Sequence, residues 1–186
     1  MPDARASLPP LCVDLDGTLV AADTLHESAW LLLRRKPWLV PLIPFWLLRG
    51  KAHLKDRIAA AVSLDCVSLP YRAELIRYLE SQRGKRKLIL ATAANERIAR
   101  SVATHLKIFD AVLASDARTN LKGATKLEVL RRHIGGEFDY IGDSIADLPV
   151  FAAARKSVLV HPTESVRARC KVSHVLEQGG EIPDEF

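Results

Sequence analysis

A chain of 186 residues, 48% apolar and 26% charged, can bury one domain-sized core plus a modest insertion, which excludes disordered and collagen-like classes. Its 27 Lys and Arg against 22 Asp and Glu give a net charge of +5, a bias toward anions that does not choose among phosphates, acidic lipids and nucleic acid. Cys12, Cys66 and Cys170 are odd in number and lack metal-ligand spacing, so they suggest neither a disulfide framework nor a zinc site and fit a reducing, cytoplasmic setting.

In chain order, the opening MPDARASLPP lacks the apolar core of a secretory signal, which argues against export. The first strand-like run is LCVDL at 11–15, and it ends in two carboxylates one residue apart, Asp14 and Asp16. Residues 24–69 then intervene with helical patterning at Leu54, Ile58, Ala61 and Val62, and read as a small helical cap. Within them, WLLLRRKPWLVPLIPFWLLRG at 30–50 holds all three tryptophans. Arg34, Arg35 and Lys36 in its middle and Pro37, Pro41 and Pro44 argue against a membrane span. Two readings stay open: a self-packed helical hairpin, or an exposed apolar patch bordered by basic residues, suited to a membrane surface or a lipid-like substrate.

After a helix over YRAELIRYLESQR, the cluster Arg83, Lys85, Arg86 and Lys87 reads as a solvated turn. It has no interleaved aromatics, so no nucleic-acid role is expected. Strand-like runs follow at 87–91, 110–114, 138–142, 157–160 and 173–176, separated by helical periodicity such as Ile98, Val102 and Leu106, or Leu127, Leu130 and Ile134. Alternating strands and helices predict an α/β fold with a doubly wound parallel sheet. The core is expected over 8–23 and 70–178, with 179–186 as a flexible tail.

Ligands in such sheets bind beyond the carboxyl ends of the strands. The first strand exits at Asp14-Leu15-Asp16-Gly17-Thr18, and alternate residues of an extended segment share a face. The second exits at Thr92, the third before a loop containing Lys122, and the fourth at Gly142-Asp143-Ser144 with Asp147 beyond. Four carboxylates, a hydroxyl and an ammonium thus converge on one cleft. Clustered carboxylates repel unless a divalent cation neutralises them, and hard oxygen ligands with room for water favour Mg²⁺. With a lysine and a hydroxyl beside it, such a site suits a dianionic phosphate. Taken singly, each residue reads as a turn, cap or solvated charge; their joint placement carries the functional reading. His161 and Asn95 are further rim candidates.

DLDGT, Thr92, Lys122 and GDSIAD, in this order, resemble the four motifs of the haloacid dehalogenase superfamily of phosphohydrolases, and the insertion after the first motif resembles that superfamily's C1-type cap. The resemblance implies that Asp14 is the nucleophile forming an aspartyl-phosphate and that Asp16 is the proton donor and acceptor, its backbone carbonyl also a metal ligand. It implies that Thr92 and Lys122 hold phosphate oxygens and that Asp143 completes a Mg²⁺ site with Asp14 and Asp16. Asp147 would support that site or hold the lysine. Lys126 is the second candidate for the motif lysine; Lys122 is preferred for its Lys-Gly setting. An acid at Asp16 argues for phosphate ester hydrolysis over carbon–halogen cleavage or ion pumping.

Asp23 lies where the similar phosphoserine phosphatases carry an acidic residue that meets the substrate ammonium. The segments DLDGTLVAADTLHES, LATAANERIA and FDYIGDSIADLPVF are also similar to the domain found ahead of 4-hydroxybenzoate-type polyprenyltransferases. That likeness implies a small or lipid-linked prenyl phosphate as substrate, and contact with a membrane surface or a membrane prenyltransferase. The rival readings are a catalytically slow module that binds a phosphorylated ligand or docks a membrane partner, and a phosphotransferase or phosphomutase.

Overall fold

A computed structural model describes residues 8–183 and Phe186. Six parallel strands form one sheet: β1 (Leu11–Val13), β2 (Leu88–Asn95), β3 (Ala111–Ser115), β4 (Asp139–Gly142), β5 (Ser157–Val160) and β6 (His174–Leu176), in the spatial order 3-2-1-4-5-6. The expected runs all fall on these strands. β2 is longer than expected, continuing past Ala91 to Asn95 across a register shift against β3.

Alternation divides each strand between two cores. Leu11, Val13, Leu88 and Leu90 face a layer built on α4 (Ala73–Gln82) and α5 (Glu96–Leu106), where Leu75, Leu79, Ile98 and Val102 meet them. Cys12, Ile89, Ala91 and Tyr140 face the other layer, with Leu130 of α6 (Ala124–Ile134) and Val150 and Phe151 of α7 (Leu148–Ala153). Helices on both faces explain why the strands read as near-continuous apolar runs. The short α8 (Glu164–Arg167) leads to β6.

The insertion between β1 and α4 contains α1 (Thr24–Arg35), a 3-10 segment (Pro37–Leu42), α2 (Ile43–Leu48), α3 (Lys51–Ala61) and a 3-10 turn (Cys66–Ser68). Its two ends lie side by side: the Ala21 amide donates to the Pro70 carbonyl at 2.9 Å, and Val20 bridges Tyr71. The cap has its own apolar centre of Leu32, Trp46, Ile58 and Val62. The stretch over residues 30–50 is divided between α1, the 3-10 segment and α2, and among the described residues no helix is long and apolar enough to cross a membrane.

Two expectations fail at the sheet's amino-terminal edge. Arg86, read as part of a solvated turn, is buried; it donates to Asp139 at 2.7 Å, to Gln82 at 3.0 Å, to the Tyr78 hydroxyl at 2.7 Å and to the Phe186 carbonyl at 2.9 Å. The segment expected as a flexible tail carries Ile182 and Phe186 into the core. The reason is common to both. Asp139 starts β4 fully buried, its charge needs donors, and Arg86 and Arg155 supply them, the latter at 3.0 and 2.7 Å. Arg86→Met should therefore lower stability by about 3–5 kcal/mol in denaturant unfolding, because it leaves a buried carboxylate short of a partner.

Candidate active site

In the strand order 3-2-1-4-5-6 the chain reverses its direction of winding at β1, so a crevice opens beyond the carboxyl ends of β1 and β4. A cavity of about 410 Å³ occupies it, lined by Asp14, Asp16, Asp143 and Asp147, with Lys55, Arg72, Lys122, Lys126 and His161 at its walls and mouth. Of the expected residues, Thr92 and the rim candidate Asn95 are absent from the lining; Ala93, next to Thr92, borders the cavity instead.

Asp14 follows β1 directly. Its amide donates to the Ile141 carbonyl at 2.9 Å, which extends the pairing with β4 by one residue, and its Oδ1 accepts from the Leu15 amide at 2.8 Å. The chain then turns through Gly17, whose φ of +75° is open to glycine at little cost. Thr18 Oγ1 donates to Asp143 Oδ1 at 3.1 Å, tying this turn to the exit of β4. A Cβ at Gly17 would lie 2.1 Å from Asp143 Oδ2, so glycine is what lets Asp143 approach. Gly17→Ala should displace Asp143 and depress both Mg²⁺ affinity and turnover by at least about tenfold, with a smaller effect on secondary structure, as read by magnesium titration, kinetics and circular dichroism.

Two lysines competed for the site in sequence, and the structure separates them. Lys126, in the first turn of α6, is buried; Nζ donates to Asp147 Oδ2 at 2.7 Å and to the Tyr140 hydroxyl at 3.0 Å, and lies 3.3 Å from Asp14 Oδ1. The preferred Lys122 lies before α6, exposed on the cavity wall. The cause is helical geometry: Lys126 is four residues before the buried Leu130, so both face the sheet. The Tyr140 hydroxyl donates to Asp147 Oδ2 at 2.6 Å, so Asp147 holds the lysine and the phenol together.

The electrostatics follow. Burial pushes the Asp14 carboxyl up to about 7; Lys126 opposes this, while Asp147 and Asp143 add to it. Burial likewise raises Asp143, against the Thr18 hydrogen bond, and raises Asp16, against the 2.9 Å bond that its Oδ1 accepts from the Thr24 amide. Burial alone would lower the Lys126 ammonium, but Asp14 and Asp147 outweigh it and hold its pKa above the ordinary lysine value. These buried carboxylates in mutual repulsion are the condition a cation relieves.

Among the described residues, no three His, Cys, Asp or Glu side chains gather into a metal cage. The Asp16 carboxylate turns toward the start of α1, so the side-chain ligands that remain are Asp14 and Asp143. One or two carboxylates, a backbone carbonyl and water suit Mg²⁺, which keeps much of its hydration. The residues present fit that ion.

The remaining expected residues are placed as follows. Thr92 is fully buried within β2, its Oγ1 accepting from the Ala94 amide at 3.0 Å. Asp23 borders the cavity and caps α1, accepting from the Leu25 and His26 amides at 2.8 and 3.2 Å. Asn95 caps α5 through the Arg97 amide at 3.0 Å. His161, at φ +42°, contacts Arg72 through Nδ1 at 2.9 Å and Glu74 through Nε2 at 3.3 Å.

Two basic residues went unrecognised in the sequence. Lys55 reaches from α3 to the Ala93 carbonyl at 2.6 Å and Asn120 at 3.2 Å, a contact of the cap with the strand ends, and burial lowers its pKa. Arg72 donates to the Gly17 carbonyl at 3.3 and 3.1 Å. Lys55 sits in a generally basic helix and Arg72 just ahead of α4, so neither had a local signal.

The model of the haloacid dehalogenase-like hydrolase family matches residues 11–152. The uncharacterized protein y4nM of Sinorhizobium fredii is 39% identical over 153 residues, covering 81% of this chain and 30% of that protein, so the chain spans less than a third of this relative's length. Among solved structures, a protein of unknown function from Bordetella pertussis Tohama I is similar with a TM-score of 0.69 at 16% identity, over 86% of this chain and 93% of that one. A phospho-aspartyl intermediate analogue of phosphoserine phosphatase is similar with a TM-score of 0.59 at 12% identity, over 91% and 93%. At such identities the two structural likenesses are of fold.

Proposed function

The chain belongs to the haloacid dehalogenase-like hydrolases, and on that premise we propose that it is a Mg²⁺-dependent phosphomonoester hydrolase that works through an aspartyl-phosphate. The observation that carries the reading is the pairing of Asp14 with Asp143 at the sheet's switch point, beside a buried lysine that offsets their charge.

In this reading an Asp14 oxygen bonds to phosphorus as the ester P–O bond breaks, and Asp16 passes its proton to the departing oxygen. Burial of Asp16 favours its protonated form, which suits a donor. Water then attacks the phosphorus, Asp16 takes the water proton, and inorganic phosphate leaves with Asp14 restored. Lys126 faces the charge that develops on the phosphoryl oxygens, Asp147 and Tyr140 hold that lysine, and Thr18 holds Asp143. Asp14, Asp143 and the Asp16 carbonyl would hold Mg²⁺, which when bound would supply charge neutralisation at the phosphoryl group. Thr92 would act through the shape of the β2 exit, and Lys122 as a solvated cation at the rim.

Beyond the phosphate, Asp23 and Lys55 border the cavity from the cap side and would meet the rest of the substrate. The resemblance to prenyltransferase-linked domains supports a lipid-linked phosphate, with a membrane prenyltransferase as partner; a small phosphate ester is the alternative.

The test is a panel of aryl, amino acid, sugar and prenyl phosphates assayed with purified protein. Phosphate release is expected in Mg²⁺ and not in EDTA. A panel with no turnover overturns the enzymatic reading in favour of a phospholigand-binding module.

A further inference from the structure

The cap consumes only part of its apolar surface internally. Leu32, Trp46, Ile58 and Val62 fill its centre, while Leu48 is 84% exposed, Trp38 68%, Phe45 65% and Trp30 60%. Trp30 and Leu33, three residues apart on α1, line a groove of about 490 Å³ with Val40 and Ile43, and Glu27 also borders it. Phe45 and Leu48, three apart on α2, lie on the side away from the buried Trp46. Isolated exposed apolar residues are ordinary, but large ones grouped on one small subdomain mark a contact surface.

Charge selects the occupant. Between Trp30 and Lys51 the chain carries Arg34, Arg35, Lys36, Arg49 and Lys51 and no Asp or Glu. None of the five forms an ion pair among the described residues. Aromatic and leucine side chains flanked by unpaired cations, on helices too short to span, match the interfacial layer of a bilayer with anionic headgroups. A protein partner on a cap surface carrying these cations would have to be acidic, and a second copy presents the same cations and would repel.

We infer that the outer face of the cap, centred on Trp30, Trp38, Phe45 and Leu48, docks on an anionic lipid bilayer. Docking stands apart from the catalytic reading; its use in presenting a lipid phosphate rests on that reading. α1 begins next to Asp23, which borders the cavity, and rises about 1.5 Å per residue, which sets Arg35 about 16 Å beyond Thr24 along the helix. The site and the docked surface would thus be close enough for a tethered phosphate to bridge them.

Vesicle flotation tests the inference. The protein is expected to float with phosphatidylcholine vesicles containing phosphatidylglycerol, to stay behind with phosphatidylcholine alone, and to be released by high salt. Arg34→Glu/Arg35→Glu should lower partitioning by at least about tenfold, as should Trp30→Ser/Phe45→Ser/Leu48→Ser, whose sites are exposed and carry no fold-defining contact. Both variants should keep the parent's melting temperature and its turnover of a soluble aryl phosphate, which separates failure of docking from failure of catalysis. Absence of flotation, flotation unaffected by both variants, or self-association that the same substitutions abolish overturns the inference, the last in favour of a second copy.

Discussion

Asp14→Asn is expected to abolish phosphate release, with a loss on the order of 10³–10⁶-fold, while the protein stays folded. Asparagine keeps the volume and can still accept from the Leu15 amide, but it cannot form the aspartyl-phosphate and is a poorer Mg²⁺ ligand. The variant also tests the electrostatics in EDTA. The folded Asp14 carboxyl titrates near 7 against 3.8 unfolded, so between these values the folded state binds more protons and stability falls as pH rises. At pH 8 both states are ionised and the buried charge is fully opposed; lowering the pH through 7 relieves it. The wild-type melting temperature in EDTA should rise from pH 8 to pH 6, and Asp14→Asn should flatten that slope. Residual turnover near the parent rate would remove Asp14 from the nucleophile's role, and an unchanged slope would place the strain on Asp16 or Asp143.

Most of the sheet was legible in sequence because parallel strands buried on both faces leave short apolar runs that recur between helical patterns. The carboxylates were legible only jointly: singly, Asp14 and Asp143 read as turn or cap residues at strand ends, and it was their placement at successive strand exits that pointed to one cleft, which both line. What escaped was long-range satisfaction. Arg86 reads as one of a basic cluster until Asp139, 53 residues away, is seen to need it. Phe186 reads as tail until Arg86 is seen to claim its carbonyl. Trp30, Trp38 and Trp46 carry the same local pattern, and only packing sends Trp46 inward while leaving the others out. The extension of β2 through Thr92 is hidden by small residues, Ala91, Ala93 and Ala94, that suit a strand end as well as a loop.

The lysine is the case in which the sequence held two signals. Lys126, Leu130 and Ile134 recur every four residues, a stripe that turns Lys126 toward the sheet, whereas the Lys-Gly setting of Lys122 drew attention to a residue ahead of the helix. Lys126→Met removes the charge at nearly constant volume. It leaves Asp14 and Asp147 facing one another without a cation and Tyr140 short of a neighbour, so in EDTA it should lower stability by about 3–5 kcal/mol. Saturating Mg²⁺ should restore part of that loss, because the ion neutralises Asp14 from the other side. Turnover should stay low even then, by about 10²–10³-fold, since among the described residues Lys126 is the one buried cation lining the cavity. Lys122→Met, at an exposed position, should change stability by no more than about 0.5 kcal/mol and turnover by less than about tenfold. Parallel denaturant unfolding and steady-state kinetics on the two variants decide the matter. If Lys122→Met proves the more damaging to turnover while Lys126→Met harms only stability, the buried lysine is a structural counter-ion, and the exposed one must swing inward to hold the phosphate.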